Sequence, residues 1–301
     1  MNVNHRDFEP TQEKRSLSTT YNFSGHETFA CRHYWLKKGY DFVSAQKDFN
    51  SPEAVVDLGV GNNMVRSIRY WLKAFDLVDN NNELTDLAKR IFKDNGWDPF
   101  IEDEGTLWLL HYKLNKKAHA SIYPLIFNEL RIQKPEFTRT HFFNFVSILN
   151  TSTTQGTLKN DFSVFHRNYL NDRNKDIEDG YTGLLTDLNL LKQIKVEKEV
   201  FYHIENRERP EVPAEIILYA VADDERYGNS ISFDNLYLDN GSVANIFALS
   251  KEGLVERLQK IAEKYPRQVI FNIDPLARQI QFKDSKPDPL NVLEDYYTKK
   301  E

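Results

Sequence analysis

The chain has 301 residues, 40% hydrophobic and 28% charged, which is an ordinary globular composition, and its length suits two or three small modules better than one core. No apolar run approaches the roughly 20 residues of a membrane span, and the opening MNVNHRDFEPTQEKRSLSTTY lacks the apolar core of a secretory signal, so a soluble cytoplasmic protein is expected. The single cysteine, Cys31, excludes an internal disulfide and a thiolate-built metal site, and the formal net charge of -6 means that any nucleic-acid contact must come from a local basic face.

In chain order, residues 1–20 are polar and aperiodic and are read as a flexible arm. In FSGHETFACRHYWLKKGYDF, Ser24 and Glu27 have the spacing of a capping box, which predicts a helix from about Gly25 to Lys38 with Gly39 as its left-handed stop. SPEAVVDLG predicts a short helix entered through Pro52. Met64, Val65, Ile68, Trp71, Leu72 and Phe75 recur at helical spacing, Asn80-Asn81-Asn82 marks a turn, and Thr85 caps a helix over ELTDLAKRIF. TLWLLHYKLNKKAHASIYPLIFNEL predicts an apolar helix broken near Pro124. NTSTTQG, from Asn150 to Gly156, is the best candidate for an internal boundary. Beyond it come a helix over NDFSVFHRNYL, a short loop in YTGLLTDLNLLKQI, a charged strand-like stretch at FYHIENRERP, and a helix entered through Pro213. Ser250 caps a helix with Leu254, Leu258 and Ile261 on one stripe, and VIFNIDPLARQIQF alternates as two strands around Asp274-Pro275.

This pattern predicts a mainly α protein with short β-hairpins: a flexible arm at 1–20, a winged helix-turn-helix at 21–117, a helical middle region at 118–205 and a winged-helix-like module at 206–301. VVDLGVGNNMVRSIRYW, residues 55–71, decides between two functions. A dinucleotide loop needs a strand before it and a third glycine, but Met64 stands at that third position and a helix start precedes the loop. A helix-turn-helix accounts for more: Ala54 allows close crossing, Gly59 takes the turn, and Val60, Val65 and Ile68 pin the second helix. Such a helix offers its first residues to base edges in the major groove. Those are Asn62, Asn63, Arg66 and Ser67, with Arg69, Tyr70 and Lys73 nearer the phosphate backbone. Asparagine suits adenine and arginine suits guanine.

FSGHETFACRHYWLKKGYDF and AVVDLGVGNNMVRSIRYWLKAFDLV, followed by LTDLAKRIF and TLWLLHYKL, resemble the family catalogued as domain of unknown function 4007 (DUF4007). The resemblance continues more weakly through SFDNLY and SVANIFALSKEGLVERL. It implies a companion of sulfur-based (phosphorothioation-associated) DNA modification and antiviral phage-defence clusters, and it carries no catalytic residues. The expected partners are double-stranded DNA and sulfur-modification or defence proteins, without a membrane.

Among other constellations, His26, Glu27, Cys31 and His33 do not converge on a helix, so no metal site is assigned. His26 and Arg32 are instead candidates for a contact site. His111, His141 and His166 read as core or surface histidines. Arg131, Lys134, Arg139, Lys159 and Arg167 read as solvated charge, with a second DNA-facing strip as the alternative. No nucleophile elbow or phosphate loop is found. The expectation is therefore a non-enzymatic DNA-binding protein without cofactor, or an adaptor that uses the same modules for a protein partner.

Overall fold

The computed structural model describes residues 21–149, 151–170, 182–274 and 277–299. The arm at 1–20, Asn150 of the boundary stretch, Tyr181 and Pro275 lie outside the described residues. The protein is mainly helical with two three-stranded antiparallel sheets.

The expected helix from Gly25 does not form. Residues 21–34 run without regular structure, and α1 (Trp35–Ser44) begins only at Trp35. Ser24, Glu27 and Thr28 hold φ values of 76°, 46° and 65°, which no right-handed helix contains. Long-range bonds replace the local cap: the Ser24 N–H donates to Asp161, the Cys31 N–H to the Asn168 side chain, and the Leu184 N–H to the Cys31 carbonyl. Gly39 is no stop either. It sits inside α1, where an added Cβ would lie 2.7 Å from Leu72 Cδ1 and 2.9 Å from Ile68 Cγ2, so its missing side chain sets the close crossing of α1 and α3.

From residue 54 the pattern and the structure agree. Helix α2 (Ala54–Leu58) ends at Gly59, whose φ of 62° provides the left-handed cap, and α3 (Asn62–Ala74) starts after an extended Gly61. Val65, Ile68, Trp71, Leu72 and Phe75 are buried, each contributing roughly 1.5–3 kcal/mol of burial free energy. Val78 and Leu84 pair antiparallel around the asparagine turn, and the Thr85 hydroxyl caps α4 (Asp86–Phe92) by accepting from the Ala88 N–H.

Helix α5 (Glu104–Lys117) is the spine, buried continuously from Gly105 to Asn115. A helix covered on every side runs through the interior, and its polar side chains there must find partners. Its basic end is paired on both sides: Lys113 with Asp76 at 3.0 Å and Asp223 at 3.5 Å, Lys116 with Asp224 at 2.8 Å, and Lys117 with Asp76 at 2.7 Å. His111 links it further, with Nδ1 2.7 Å from the Tyr169 hydroxyl and Nε2 2.8 Å from the Ile246 carbonyl. The helix ends at Ala118 in a left-handed conformation, not at Pro124. Pro124 lies within the single turn of α6 (Ile122–Leu125), where its missing N–H costs nothing. A π-helical turn (Ile126–Leu130) and α7 (Arg131–Gln133) follow.

The middle region is not purely helical. Strand β1 (Glu136–Phe137), α8 (Arg139–Ile148), α9 (Gln155–Tyr169), a 3-10 turn (Thr186–Leu188), β2 (Lys192–Val196) and β3 (Glu199–His203) build a sheet of order β1-β3-β2. Strand β1 has two residues, too few for a period-two signal. After α10 (Ala214–Asp223) the topology recurs: β4 (Ser230–Ser232), α11 (Phe233–Leu238), α12 (Val243–Phe247), α13 (Lys251–Lys264), β5 (Val269–Asn272) and β6 (Gln279–Phe282), with order β4-β6-β5. Ser250 caps α13, and Leu254, Leu258 and Ile261 are fully buried, as their spacing predicts. Helix α14 (Pro289–Thr298) closes the chain against α10, and its Glu294 reaches Arg90 on α4 at 2.7 Å.

Candidate nucleic-acid interface

The helix beginning at Asn62 offers a narrower surface than its sequence suggests. Asn62, Asn63 and Arg66 are exposed on its first turns. Arg66 keeps 61% of its side chain accessible and only approaches Glu27, at 3.7 Å. That is a weak surface pair, which a phosphate or base edge can replace at little cost.

Arg69 and Lys73 continue the same stripe but are half-buried. Arg69 is held in place: its Nε donates to Asn82 Oδ1 at 3.1 Å and its Nη1 to Asn50 Oδ1 at 3.0 Å. It thereby ties α3 to the asparagine turn on one side and to the loop before α2 on the other. Burial and the neighbouring Arg69 guanidinium push the Lys73 pKa down, with Asp79 opposing them.

Ser67 and Tyr70 leave the contact surface. Ser67 is 0% and Tyr70 7% exposed, and both hydroxyls lack a hydrogen-bond partner. Burial drives the Tyr70 phenol pKa well up, with the Asp161 charge adding to it. For Tyr70 the reason is a second cover on α3. Helices α1 and α2 pack on one side of it, and the FSGHETF loop packs on the other, where a Cβ on Gly25 would meet the Tyr70 ring at 2.8 Å. Helical periodicity reveals one buried face; it gives no sign of a loop that buries the flank as well.

That loop also removes His26 from the candidate contact site. His26 is 4% exposed, lies nearly parallel to Trp71 with ring centroids 6.4 Å apart, and meets Tyr70 edge-on. The Thr28 N–H donates to Nδ1 at 3.1 Å, which leaves the ring proton on Nε2 to donate to Asp161 Oδ1 at 3.0 Å. Asp161, 1% exposed on α9, accepts the Ser24 N–H as well. Arg32 is half-buried, with its guanidinium 5.1 Å from the Trp35 ring centroid. The motif is therefore a latch: Phe29 accepts from the Trp71 indole at 3.1 Å on α3, while Thr28 accepts from Arg167 at 2.5 Å on α9. No sequence signal pairs His26 with a carboxylate 135 residues away.

The remaining constellation residues disperse. Cys31 is fully buried, which pushes its thiol pKa well up, and His33 is exposed with Nε2 2.7 Å from the Phe100 carbonyl. His33, three residues before the buried Leu36, thus lies outside the core. His111 is buried, His141 completes the α8 capping box with Thr138, and His166 lies 3.1 Å from the Gln193 side chain. Arg131 is 4% exposed and donates to the carbonyls of Phe127 and Asn245, so it belongs to the core and to no surface strip. Among the described residues no three His, Cys, Asp or Glu side chains could hold a metal ion, and no helix is long and apolar enough to cross a membrane.

Two solved structures resemble the fold closely. One is a magnesium ion-bound SspB crystal structure, 26% identical, with a TM-score of 0.81 over 92% of this chain and 88% of that one. The other is an SspB crystal structure, 27% identical, with the same TM-score and coverage of 92% and 88%. No curated protein matches the sequence. The DUF4007 family, described as protein of unknown function, matches residues 23–297, which takes in the latch, α3 and nearly all that follows, and the chain belongs to that family.

Proposed function

We propose that this protein is a non-enzymatic DNA-binding component of a DNA-modification or phage-defence system, and that it reads duplex DNA through the N-terminal half of α3. The observation that carries the reading is the exposure of Asn62, Asn63 and Arg66 at the start of a helix entered through a left-handed Gly59 turn. Both side-chain types, asparagine and arginine, pair bidentately with base edges. The topology supports it: α1, α2 and α3 followed by the Val78–Leu84 bridge have the order of a winged helix-turn-helix with a minimal wing. The two later units, with two and three helices respectively between the first strand and the hairpin and with the third strand in the middle of the sheet, resemble a winged-helix arrangement too. The system assignment rests on the family resemblance.

Magnesium, named for one structural relative, finds no group of three acidic, histidine or cysteine ligands among the described residues, and no step is assigned to it. A protein adaptor is the second reading. Val56 on α2, 81% exposed, favours it, because a large apolar side chain held out in solvent suits a protein partner better than DNA.

Selection of preferred duplexes from a random pool, followed by anisotropy on single-base variants, separates the two. Arg66→Ala is expected to relax preference at one base pair, a loss of roughly 1–3 kcal/mol of discrimination. A Val56→Asp variant that loses a partner protein, together with an Arg66→Ala variant that binds every duplex as the wild type does, would favour the adaptor.

A further inference from the structure

The middle unit presents a second surface of the same kind. In α9 the buried side comprises Leu158, Asp161, Phe162, Val164, Phe165, Asn168 and Tyr169, and Lys159, Asn160 and Ser163 are exposed. The helix's only acid, Asp161, is consumed by Ser24 and His26 inside the protein, so the exposed side carries positive charge and amide and hydroxyl groups with no carboxylate.

The β2–β3 hairpin stands beside this helix. His166, two turns beyond Lys159, touches Gln193 on β2, and the Tyr202 ring opposite Gln193 packs on Phe162. Strand alternation puts Lys195 on the same hairpin face as Gln193, whereas Glu199 is in register with Val196 on the other face. Lys159 and Lys195 are exposed and have no ion-pair partner among the described residues. Burial raises the Tyr202 phenol pKa, and Arg139, exposed on α8, lies close enough to oppose part of that rise.

The latch joins this surface to α3. Glu27 approaches Arg66 on α3, and the adjacent Thr28 carbonyl holds Arg167 on α9. The exposed sides of the two helices are therefore neighbours across two loop residues.

We propose that α9 and the β2–β3 hairpin form a second contact surface for a nucleic-acid duplex, with Lys159 and Lys195 meeting phosphates and Asn160 and Ser163 facing the groove. The exposed cations, the absence of acid on the exposed side of the helix and the position of α9 before a hairpin in a three-stranded unit all suit a polyanion with a groove. The proposal rests on the reading of α3 as a DNA-contacting helix, extending the bound site beyond one helix.

The test uses the full chain and a random-sequence duplex, measured by anisotropy at several salt concentrations. Lys159→Ala/Lys195→Ala is expected to lower the dependence of log affinity on log salt by about two units, near 0.9 per phosphate contact. Because Cys31 is buried, a cleavage reagent on Ser163→Cys is expected to cut the duplex at a position displaced from that cut by Asn63→Cys. Unchanged slope and no cutting from Ser163→Cys, while Asn63→Cys still cuts, would overturn the second surface and leave the α3 reading intact. No cutting from either position, or no duplex binding by the wild type, would overturn both. Loss of an acidic protein partner by the double lysine variant, with duplex affinity unchanged, would also overturn the proposal.

Discussion

Helix α3 and the FSGHETF latch press against each other, yet they carry opposite kinds of information. In α3 the spacing of apolar residues announces the helix, the Gly59 turn announces its start, and the charged stripe remains outside. In the latch, a serine and a glutamate three apart imitate a capping box, but both residues have positive φ, and the bond that holds Ser24 comes from Asp161 on α9 while Glu27 approaches Arg66 on α3. A local pattern is reliable where local forces decide the conformation, as at a helix face. It misleads where a distant carboxylate outcompetes the local cap.

The difference is sharpest at Asp161, which supports the latch from inside. Asp161→Ala removes the acceptor for the Ser24 N–H and the His26 imidazole in a site without water access, and is expected to cost about 3–5 kcal/mol in urea denaturation. A cost under about 1 kcal/mol would mean that aromatic packing and the bonds to Asn168, Arg167 and Trp71 hold the latch without Asp161.

Two glycines with positive φ separate crowding from conformation. Gly25→Ala drives a methyl into the Tyr70 ring in a backbone held at φ 96°, for an expected loss of about 2–4 kcal/mol. Gly59→Ala meets nothing within 4 Å at φ 62°, so only the left-handed penalty of about 1 kcal/mol applies. Equal losses in thermal denaturation would break the claim that the latch packs tightly on α3.

His111 gives the pH dependence of the spine that supports both regions. Burial lowers its pKa from 6.5 to about 3, helped by the Arg209 and Arg131 charges and opposed by its bond to Ile246. The unfolded chain therefore takes up this proton first as pH falls. The contribution of this group is intact above about 6.5 and declines as pH falls towards 3, by roughly 2 kcal/mol at pH 5. His111→Gln should flatten the stability profile between pH 7 and pH 5; an unchanged slope would remove His111 as its source.

The smallest effects belong to side chains that face water. Ser24→Ala and Arg66→Ala should each alter stability by under about 0.5 kcal/mol, since the Ser24 hydroxyl caps nothing and Arg66 makes only a long surface contact. A loss near 1 kcal/mol for Ser24→Ala would restore the capping box.

The same contrast explains how much could be read from the sequence. Helices α2 to α5 and α13, with the caps at Thr85 and Ser250, follow from periodicity and cap chemistry. Of the middle sheet only the strand-like stretch that overlaps the end of β3 is legible, because β1 is two residues long and β2 is exposed throughout, so it shows no alternation of burial. Within the candidate interface, Asn62, Asn63 and Arg66 are exposed as expected. Ser67, Tyr70 and His26 are not: the loop that carries His26 and packs on Tyr70 is placed by Asp161, Asn168 and Arg167 from α9. Arg69 is legible as a basic residue of the stripe, but its fixation by Asn50 and Asn82 depends on two turns whose approach has no local signature.

That fixation also decides which variant best tests the central claim, that the exposed stripe of α3 meets DNA. Arg69→Ala would disturb two loops, whereas Arg66 and Lys73 can be changed together while α3 keeps its buried side. The direct measurement is the salt dependence of duplex affinity for the wild type and for Arg66→Ala/Lys73→Ala, by fluorescence anisotropy. The account predicts weaker binding and a slope reduced by about one to two units, with the fold retained. Equal affinities and equal slopes for the two proteins would contradict it.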